Sequence, residues 1–465
     1  MSDRLSALDA SFLYLEEATT PMHVGAVSLF RRPRSGFDYD RLVELVEQRI
    51  GLVPRYRQKV REVPGWFARP VWIDDVDFDI TYHVRRSALS KPGSEGQLLE
   101  LAARLMSRPL DHTRPLWEMT LVEGLSRNRF AVVTKSHQAM VDGIGAVDIG
   151  QVILDVSATP RTMPEDLWMP RPEPSGAELV LGAVSEVVAR PGEIVDNTRT
   201  AVLGGLATVR RVTGALGGVA DAVRTAARPS PGGPLNVPIS TQRRLALART
   251  RLDDHRAVRR AHGCDINDVV LAVVTGALRN WLLSRGEVVT SSTMIRAMAP
   301  QSVRGRHDEG SMLGNRVGSY LVDLPVGEPN PVLRLQHVSH AMRAHKESGQ
   351  SVGAEALVRL SGFAPPTMHS LGARVASGFS QRIFNLVITN VPGPQFSLYT
   401  AGAKLLEMFP VVPLAKNQAV AVGITSYDGG IYYGVNADRD AMSDVGVLAA
   451  LLEESLDELV TTVTA

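Results

Sequence analysis

The chain has 465 residues, 44% of them hydrophobic and 21% charged, with a formal net charge of +1. That balance excludes a disordered chain and gives no overall pull toward nucleic acid. The length suits two domains of roughly 150–230 residues each. A single cysteine, Cys264, excludes an internal disulfide and a multi-cysteine metal site.

Residues 1–30 carry Asp3, Asp9, Glu16 and Glu17 before any long apolar run, which reads as neither a secretory signal nor a transit peptide. No window reaches about 18 uncharged apolar residues, so no transmembrane helix is expected, and the expected location is the cytoplasm. Val24–Phe30 and Phe130–Thr134 are rich in β-branched and aromatic residues and predict strands. Tyr39–Gly51 places Leu42, Leu45, Val46 and Ile50 on one face of a helix, and Ser94–Ser107 repeats the pattern. Strands interleaved with helices predict a mixed α/β layer architecture.

Composition shifts at the proline-dense stretch from Ala158 to Pro174, which cannot continue a helix. Gly176–Arg228 then reads as one or two amphipathic helices, broken near Pro191-Gly192 and ended by a second linker at Pro229–Pro234. This segment is either a crossover helix packed on the domains or an apolar lid facing lipid. Beyond it, Ile266–Leu283 predicts a strongly apolar helix opened by Asp265 or Asn267. Phe384–Thr389, Ala419–Ser426 and Ile431–Val435 predict strands, the last two joined as a hairpin through Tyr427-Asp428-Gly429-Gly430. Asp444–Val460 predicts a closing helix. The organisation expected is an N-terminal domain over 1–157, a linker with crossover helices over 158–235, and a C-terminal domain over 236–465.

The most informative stretch is Lys135-Ser136-His137-Gln138-Ala139-Met140-Val141-Asp142-Gly143, between an apolar strand and an apolar helix. It resembles the H-H-x-x-x-D-G signature of acyltransferases that move an acyl group from a thioester to a hydroxyl. The second histidine, the general base of that signature, is replaced by Gln138. Acyl transfer requires the hydroxyl to lose a proton, the carbonyl oxygen to be stabilised as an oxyanion, and water to be excluded. An imidazole, with a pKa near 6.5, suits the first task, and such help is typically worth about 10²–10⁴ in rate. A carboxamide can orient a hydroxyl but has no usable basicity.

His137 is the obvious substitute base, although neighbouring side chains in extended backbone point to opposite sides. The alternative for His137 is a hydrogen-bonded structural role. Asp142-Gly143 reads as a turn anchor, with Arg296 as one candidate partner of the aspartate. His23, His83 and His112 read as surface or satisfied histidines.

Beyond the signature, the chain resembles the bacterial wax ester synthase/acyl-CoA:diacylglycerol acyltransferase family, of triacylglycerol synthase type, from end to end. Leu5–Phe12 and Pro21-Met22-His23-Val24-Gly25 match its opening motifs, Pro115-Leu116-Trp117 its P-L-W motif, and Asn267-Asp268 its N-D motif. Arg296–Arg304, Gly314-Asn315-Arg316 and Asn390-Val391-Pro392-Gly393-Pro394 follow in the family's order. The resemblance implies a two-domain α/β fold like chloramphenicol acetyltransferase, with mixed sheets and an interdomain tunnel. It also implies long-chain acyl-CoA as donor and diacylglycerol or a fatty alcohol as acceptor, with no cofactor beyond the acyl-CoA substrate.

On this basis His137, Gln138, Asp142 and Gly143 are the candidate catalytic residues. Pro115, Leu116, Trp117, Asn267, Asp268 and Asn390 are the candidate substrate-binding residues. Trp117 reads first as a core or interface anchor and second as a ligand stack, Asn267 and Asp268 most simply as helix caps, and Asn390 as an oxyanion donor or part of a structural turn. The family further implies contact with the inner membrane or lipid inclusions. The alternative function is a catalytically attenuated or silent paralog that binds acyl-CoA or lipid; a membrane-peripheral scaffold built on Gly176–Arg228 is a third reading.

Overall fold

The structure, a computed structural model, describes residues 3–66, 68–141, 149–164, 166–189, 232–303, 316–348 and 384–464. The first half opens with β1 (Asp3–Arg4), α1 (Ala7–Leu15), β2 (His23–Arg31) and α2 (Tyr39–Arg49). Leu42, Leu45 and Val46 form the buried face of α2, as their spacing predicts, while Ile50 falls in the tighter turn that follows. Next come β3 (Gln58–Arg61), β4 (Val71–Asp74), the helical turn α3 (Ile80–His83), β5 (Val84–Ala88) and α4 (Glu95–Ser107). A reciprocal cap starts α4: the Ser94 hydroxyl accepts the Gln97 N–H at 3.3 Å, and the Gln97 carboxamide accepts the Ser94 N–H at 2.8 Å. Then β6 (Trp117–Leu125) and β7 (Arg129–His137) lead directly into the helical turns α5 (Gln138–Val141) and α6 (Ile149–Val152).

After the proline-rich linker, α7 (Gly176–Ala189) packs Leu179 against Val63, Val71 and Ile73 and leaves Leu181 exposed. The remainder of the 190–231 segment lies outside the described residues. The second half runs β8 (Arg243–Arg251), α8 (Leu252–His262), α9 (Ile266–Ser284), β9 (Ile295–Val303), β10 (Arg316–Leu324) and α10 (Pro331–Ser348). It ends with β11 (Leu386–Pro392), β12 (Tyr399–Thr400), β13 (Ala403–Val411), β14 (Val420–Tyr427), β15 (Gly430–Asp438) and α11 (Val445–Thr464). The β14–β15 hairpin turns on Asp428-Gly429, both at positive φ, the backbone that this dipeptide favours. By length and composition α9 could cross a membrane, but 72% of its apolar window is buried, and it forms the central core helix of this half.

Among the described residues, two six-stranded sheets run in the orders β12-β13-β2-β7-β6-β5 and β10-β9-β11-β14-β15-β8, beside a small sheet β1-β4-β3. The strand order departs from the expected division by chain position. β12 and β13, from the second half, join the first sheet, with Lys404 opposite Arg31 and Val411 opposite Gly25.

The central strand β7 is apolar on both faces because both are covered. Phe130 and Val132 enter one core with Phe30, Trp117 and Met119. Ala131 and Val133 enter another with Val27, Leu29, Phe409, α4 and Leu245 of the second half. Arg249 fastens this junction, pairing with Glu95 at 2.6 Å and Glu407 at 2.9 Å.

Candidate active site

The signature begins where β7 ends. His137 stands opposite His23 in the β2–β7 ladder, and β2 can approach there because residue 25 is glycine; a Cβ would meet the Thr134 carbonyl oxygen at 2.0 Å. Two backbone bonds then stitch the turn to the other motifs. His137 N–H donates to the Leu116 carbonyl at 2.9 Å, and Gln138 N–H donates to the Met22 carbonyl at 2.8 Å. The P-L-W and P-M-H motifs therefore hold the signature through their backbones.

Strand alternation places Lys135 and His137 on the same face as Ala131 and Val133, toward α4. Lys135 is buried there, with Nζ 3.2 Å from the carbonyls of Leu105 and Arg108 and 3.0 Å from Glu118. His137 is fully buried. Its Nδ1 accepts the Ala139 N–H at 3.1 Å, which puts the proton of the neutral ring on Nε2. That nitrogen faces Glu16 Oε2 at 3.6 Å, too long for a hydrogen bond. The lone pair of His137 is thus engaged by Ala139 and its N–H is turned to Glu16.

Glu16 receives two more imidazoles. His23 Nε2 lies 3.4 Å from Oε1, and His112 Nε2 lies 2.7 Å from Oε2. Burial raises the Glu16 carboxyl, but the His112 bond and the nearby His137 and His23 rings outweigh it and hold the group far below the usual carboxylate range. The Glu16 bond pushes His112 up from its ordinary value, against burial, whereas burial pushes His23 down. Two histidines expected to be unremarkable thus join the signature histidine. Glu16 itself carried no sequence signal, being one acidic residue after an apolar helix.

His83 is buried, with Nδ1 2.8 Å from the Trp117 carbonyl, Nε2 without a hydrogen-bond partner among the described residues, and its ring stacked on the Trp117 indole at 4.7 Å. Trp117 Nε1 donates to the Tyr56 carbonyl at 2.8 Å. Pro115, Leu116 and Trp117 are all buried, and Leu116 and Trp117 belong to the first-half core. The Trp117 indole is fully enclosed with its N–H satisfied, the arrangement of a core anchor.

A second group forms in the other half. Asn390 Nδ2 donates to Asn267 Oδ1 at 3.1 Å, bringing the N-D and N-V-P-G-P motifs together. Asp268 accepts the Asp265 N–H at 3.0 Å through Oδ2, so it caps α9, while its buried Oδ1 has no hydrogen-bond partner. Arg296 engages Asp323 at 2.6 Å. Asp142 and Gly143 lie outside the described residues, as do Gly314 and Asn315. Among the described residues, no group of three His, Cys, Asp or Glu side chains is arranged to hold a metal ion.

Residues 5–270 match the family model described as the wax ester synthase/diacylglycerol acyltransferase catalytic domain, and residues 313–460 match the WS/DGAT C-terminal domain. The chain belongs to the wax ester synthase/diacylglycerol acyltransferase family.

Within this family, it is 34% identical to tgs1 of Mycobacterium tuberculosis, named a probable diacylglycerol O-acyltransferase, over 98% of this chain and 96% of that protein. It is 52% identical to tgs3 of the same organism, with the same designation, over 57% of this chain and 98% of that protein. Among solved structures it is similar to the wax ester synthase/diacylglycerol acyltransferase of Marinobacter aquaeolei VT8, with a TM-score of 0.70, 27% identity and full coverage of both chains. The starter condensation domain of rhizomide synthetase RzmA shares the fold at a TM-score of 0.57 and 15% identity, over 100% of this chain and 95% of that one. The expected two-domain α/β acyltransferase fold with mixed sheets is borne out.

Proposed function

We propose that the chain transfers a long-chain acyl group from acyl-CoA to the hydroxyl of diacylglycerol or a fatty alcohol, forming triacylglycerol or a wax ester. The observation that carries this reading is the match to both family domains, in order, along one chain. In the reaction the acyl carbon–sulfur bond breaks, the new carbon–oxygen bond forms, and the hydroxyl proton ends on the CoA thiol. The thioester supplies the activated acyl group, so no further cofactor enters.

Gln138 occupies the position where the family's base stands, and its carboxamide can orient the attacking hydroxyl without taking its proton. Orientation alone is worth about 7–11 kcal/mol of barrier. Turnover is therefore retained but attenuated, with water as proton acceptor. Asn390, on β11 and bonded to Asn267, is the candidate oxyanion donor. Donor and acceptor meet in a passage between the two halves.

The test is ester formation by purified protein from labelled long-chain acyl-CoA with diacylglycerol or a fatty alcohol, against a heat-killed control. One observation favours a second reading, a silent acyl-CoA-binding paralog: His137 is committed to Ala139 and Glu16, leaving the signature without an available imidazole. Acyl-CoA binding without product in the wild type, with product from Gln138→His, would select that reading.

The proposed location is cytoplasmic, peripheral at the inner membrane or lipid inclusions. Leu167, Met169 and Leu181, exposed at 80%, 83% and 68%, support an apolar contact at the linker and α7. Flotation with anionic vesicles, lost in a Leu167→Ser/Met169→Ser/Leu181→Ser variant, tests it.

A further inference from the structure

We infer that Glu16 is a positioning residue: by gathering His23, His112 and His137 on one carboxylate, it fixes the backbone that presents Gln138 to the substrates. The inference rests on the acyltransferase reading for its catalytic consequence.

The three imidazoles come from three separate segments: β2, the loop before β6, and the end of β7. Their Nε2 atoms lie 2.7, 3.4 and 3.6 Å from the same carboxylate, and the His137 ring sits 5.9 Å from that of His112 and 6.4 Å from that of His23. Glu16 closes α1 and opens a tight loop, bridged between Glu17 and Thr20, that delivers the chain to β2.

That loop touches everything the signature depends on. The Met22 N–H approaches Glu16 Oε1 at 3.4 Å, and the Met22 carbonyl takes the Gln138 N–H at 2.8 Å. From the second half, Lys416 pairs with Glu17 at 2.7 Å and the Arg243 guanidinium donates to the Thr19 carbonyl. One short loop therefore joins both halves of the molecule to residue 138.

The arrangement is a carboxylate receiving donors and not a metal cradle. The Ala139 N–H on His137 Nδ1 places a proton on Nε2, which removes the lone pair a cation would need. The other charges nearby are Lys135, held by Glu118, and Asp111 and Glu62, which face His112. None of them replaces Glu16 as the shared acceptor. Among the described residues, the enclosed Nε2 atoms of His23 and His137 have no hydrogen-bond partner and face only the Glu16 carboxylate, at 3.4 and 3.6 Å, so removing its charge removes the one group that offsets their burial.

The test uses full-length Glu16→Gln and Glu16→Asp, each in the wild-type and Gln138→His backgrounds. In Glu16→Gln, amide exchange at Gln138 and Ala139 should accelerate at least about tenfold while Val132, mid-strand, keeps its protection. In the Gln138→His background, kcat should fall about 10–100-fold with KM for acyl-CoA within about twofold, a misplacement effect. Glu16→Asp should restore part of both. Unchanged exchange at Gln138 and Ala139 overturns the inference, as does altered exchange with kcat equal to the parent. If Gln138→His itself makes no ester, the acyltransferase reading fails and the exchange result alone decides the role of Glu16. Loss of protection at Val132 in both Glu16 variants would make Glu16 a folding residue and also overturn it.

Discussion

Asn390 and Asn267, 123 positions apart in the chain, share a side-chain hydrogen bond of 3.1 Å. It ties β11, which runs into Gly393-Pro394, to the first turn of α9. The turn beyond is tight: the Thr425 hydroxyl donates to the Val391 carbonyl at 2.8 Å, and a Cβ on Gly393 would meet the Ser426 carbonyl oxygen at 2.3 Å. The amide expected to serve an oxyanion is thus oriented by a neighbour, as a preorganised donor must be.

From this pair, Asn390→Ala and Asn267→Ala should each lower stability to urea by about 1 kcal/mol, with a double-mutant coupling of similar size. If Asn390 also serves the oxyanion, its alanine variant should lose about 10²–10³ in kcat, and Asn267→Ala far less. Equal kinetic loss in the two variants would reduce Asn390 to a turn residue.

Restoring the imidazole at position 138 should change the pH profile as well as the rate. Gln138→His should raise kcat by about 10²–10⁴, with activity climbing as pH rises through roughly 6–7 as the new histidine loses its proton. The wild type should lack that limb. A variant no faster than wild type would mean that proton removal does not limit turnover.

Trp117 should behave as an anchor. Trp117→Ala removes a fully buried indole stacked on His83 and bonded to Tyr56, and should cost about 3–5 kcal/mol of unfolding free energy. KM for acyl-CoA, measured on the protein that remains folded, should stay near wild type. A large KM rise with stability unchanged would instead return the ring to the substrate.

His255 gives a pH prediction for stability. It is fully enclosed, with Nδ1 3.0 Å from the Arg251 carbonyl and Nε2 3.1 Å from the Tyr433 hydroxyl, and burial pushes it down to about 4 from an ordinary 6.5. A lowered histidine favours the folded state fully above 6.5, and the contribution is lost as pH falls from 6.5 toward 4. The displacement corresponds to about 3 kcal/mol. His255→Gln should flatten the stability curve over that interval relative to wild type; parallel curves would show that His255 titrates normally.

Much of this was legible in the order of residues. The apolar alternation of Val24–Phe30 and the Asp428-Gly429 turn specify their elements locally, because strand period and turn chemistry act within a few residues. The core face of α2 followed from spacing alone. The signature and the motifs around it were sufficient for the family. Local pattern could not show that β13 crosses to pair with β2, since a strand reads the same whichever sheet receives it. Nor could it place Trp117, whose enclosure depends on Tyr56 and His83 from distant segments.

At the signature the division is sharpest. That residue 138 cannot take a proton is chemistry written in its side chain, and no fold alters it. Which partner engages His137 was settled only by packing. Glu16, His23, His112 and His137 meet because the β2–β7 register and the loop after α1 bring them together across more than 100 residues. Electrostatic contacts of that kind depend on distance in space, which separation along a chain does not encode.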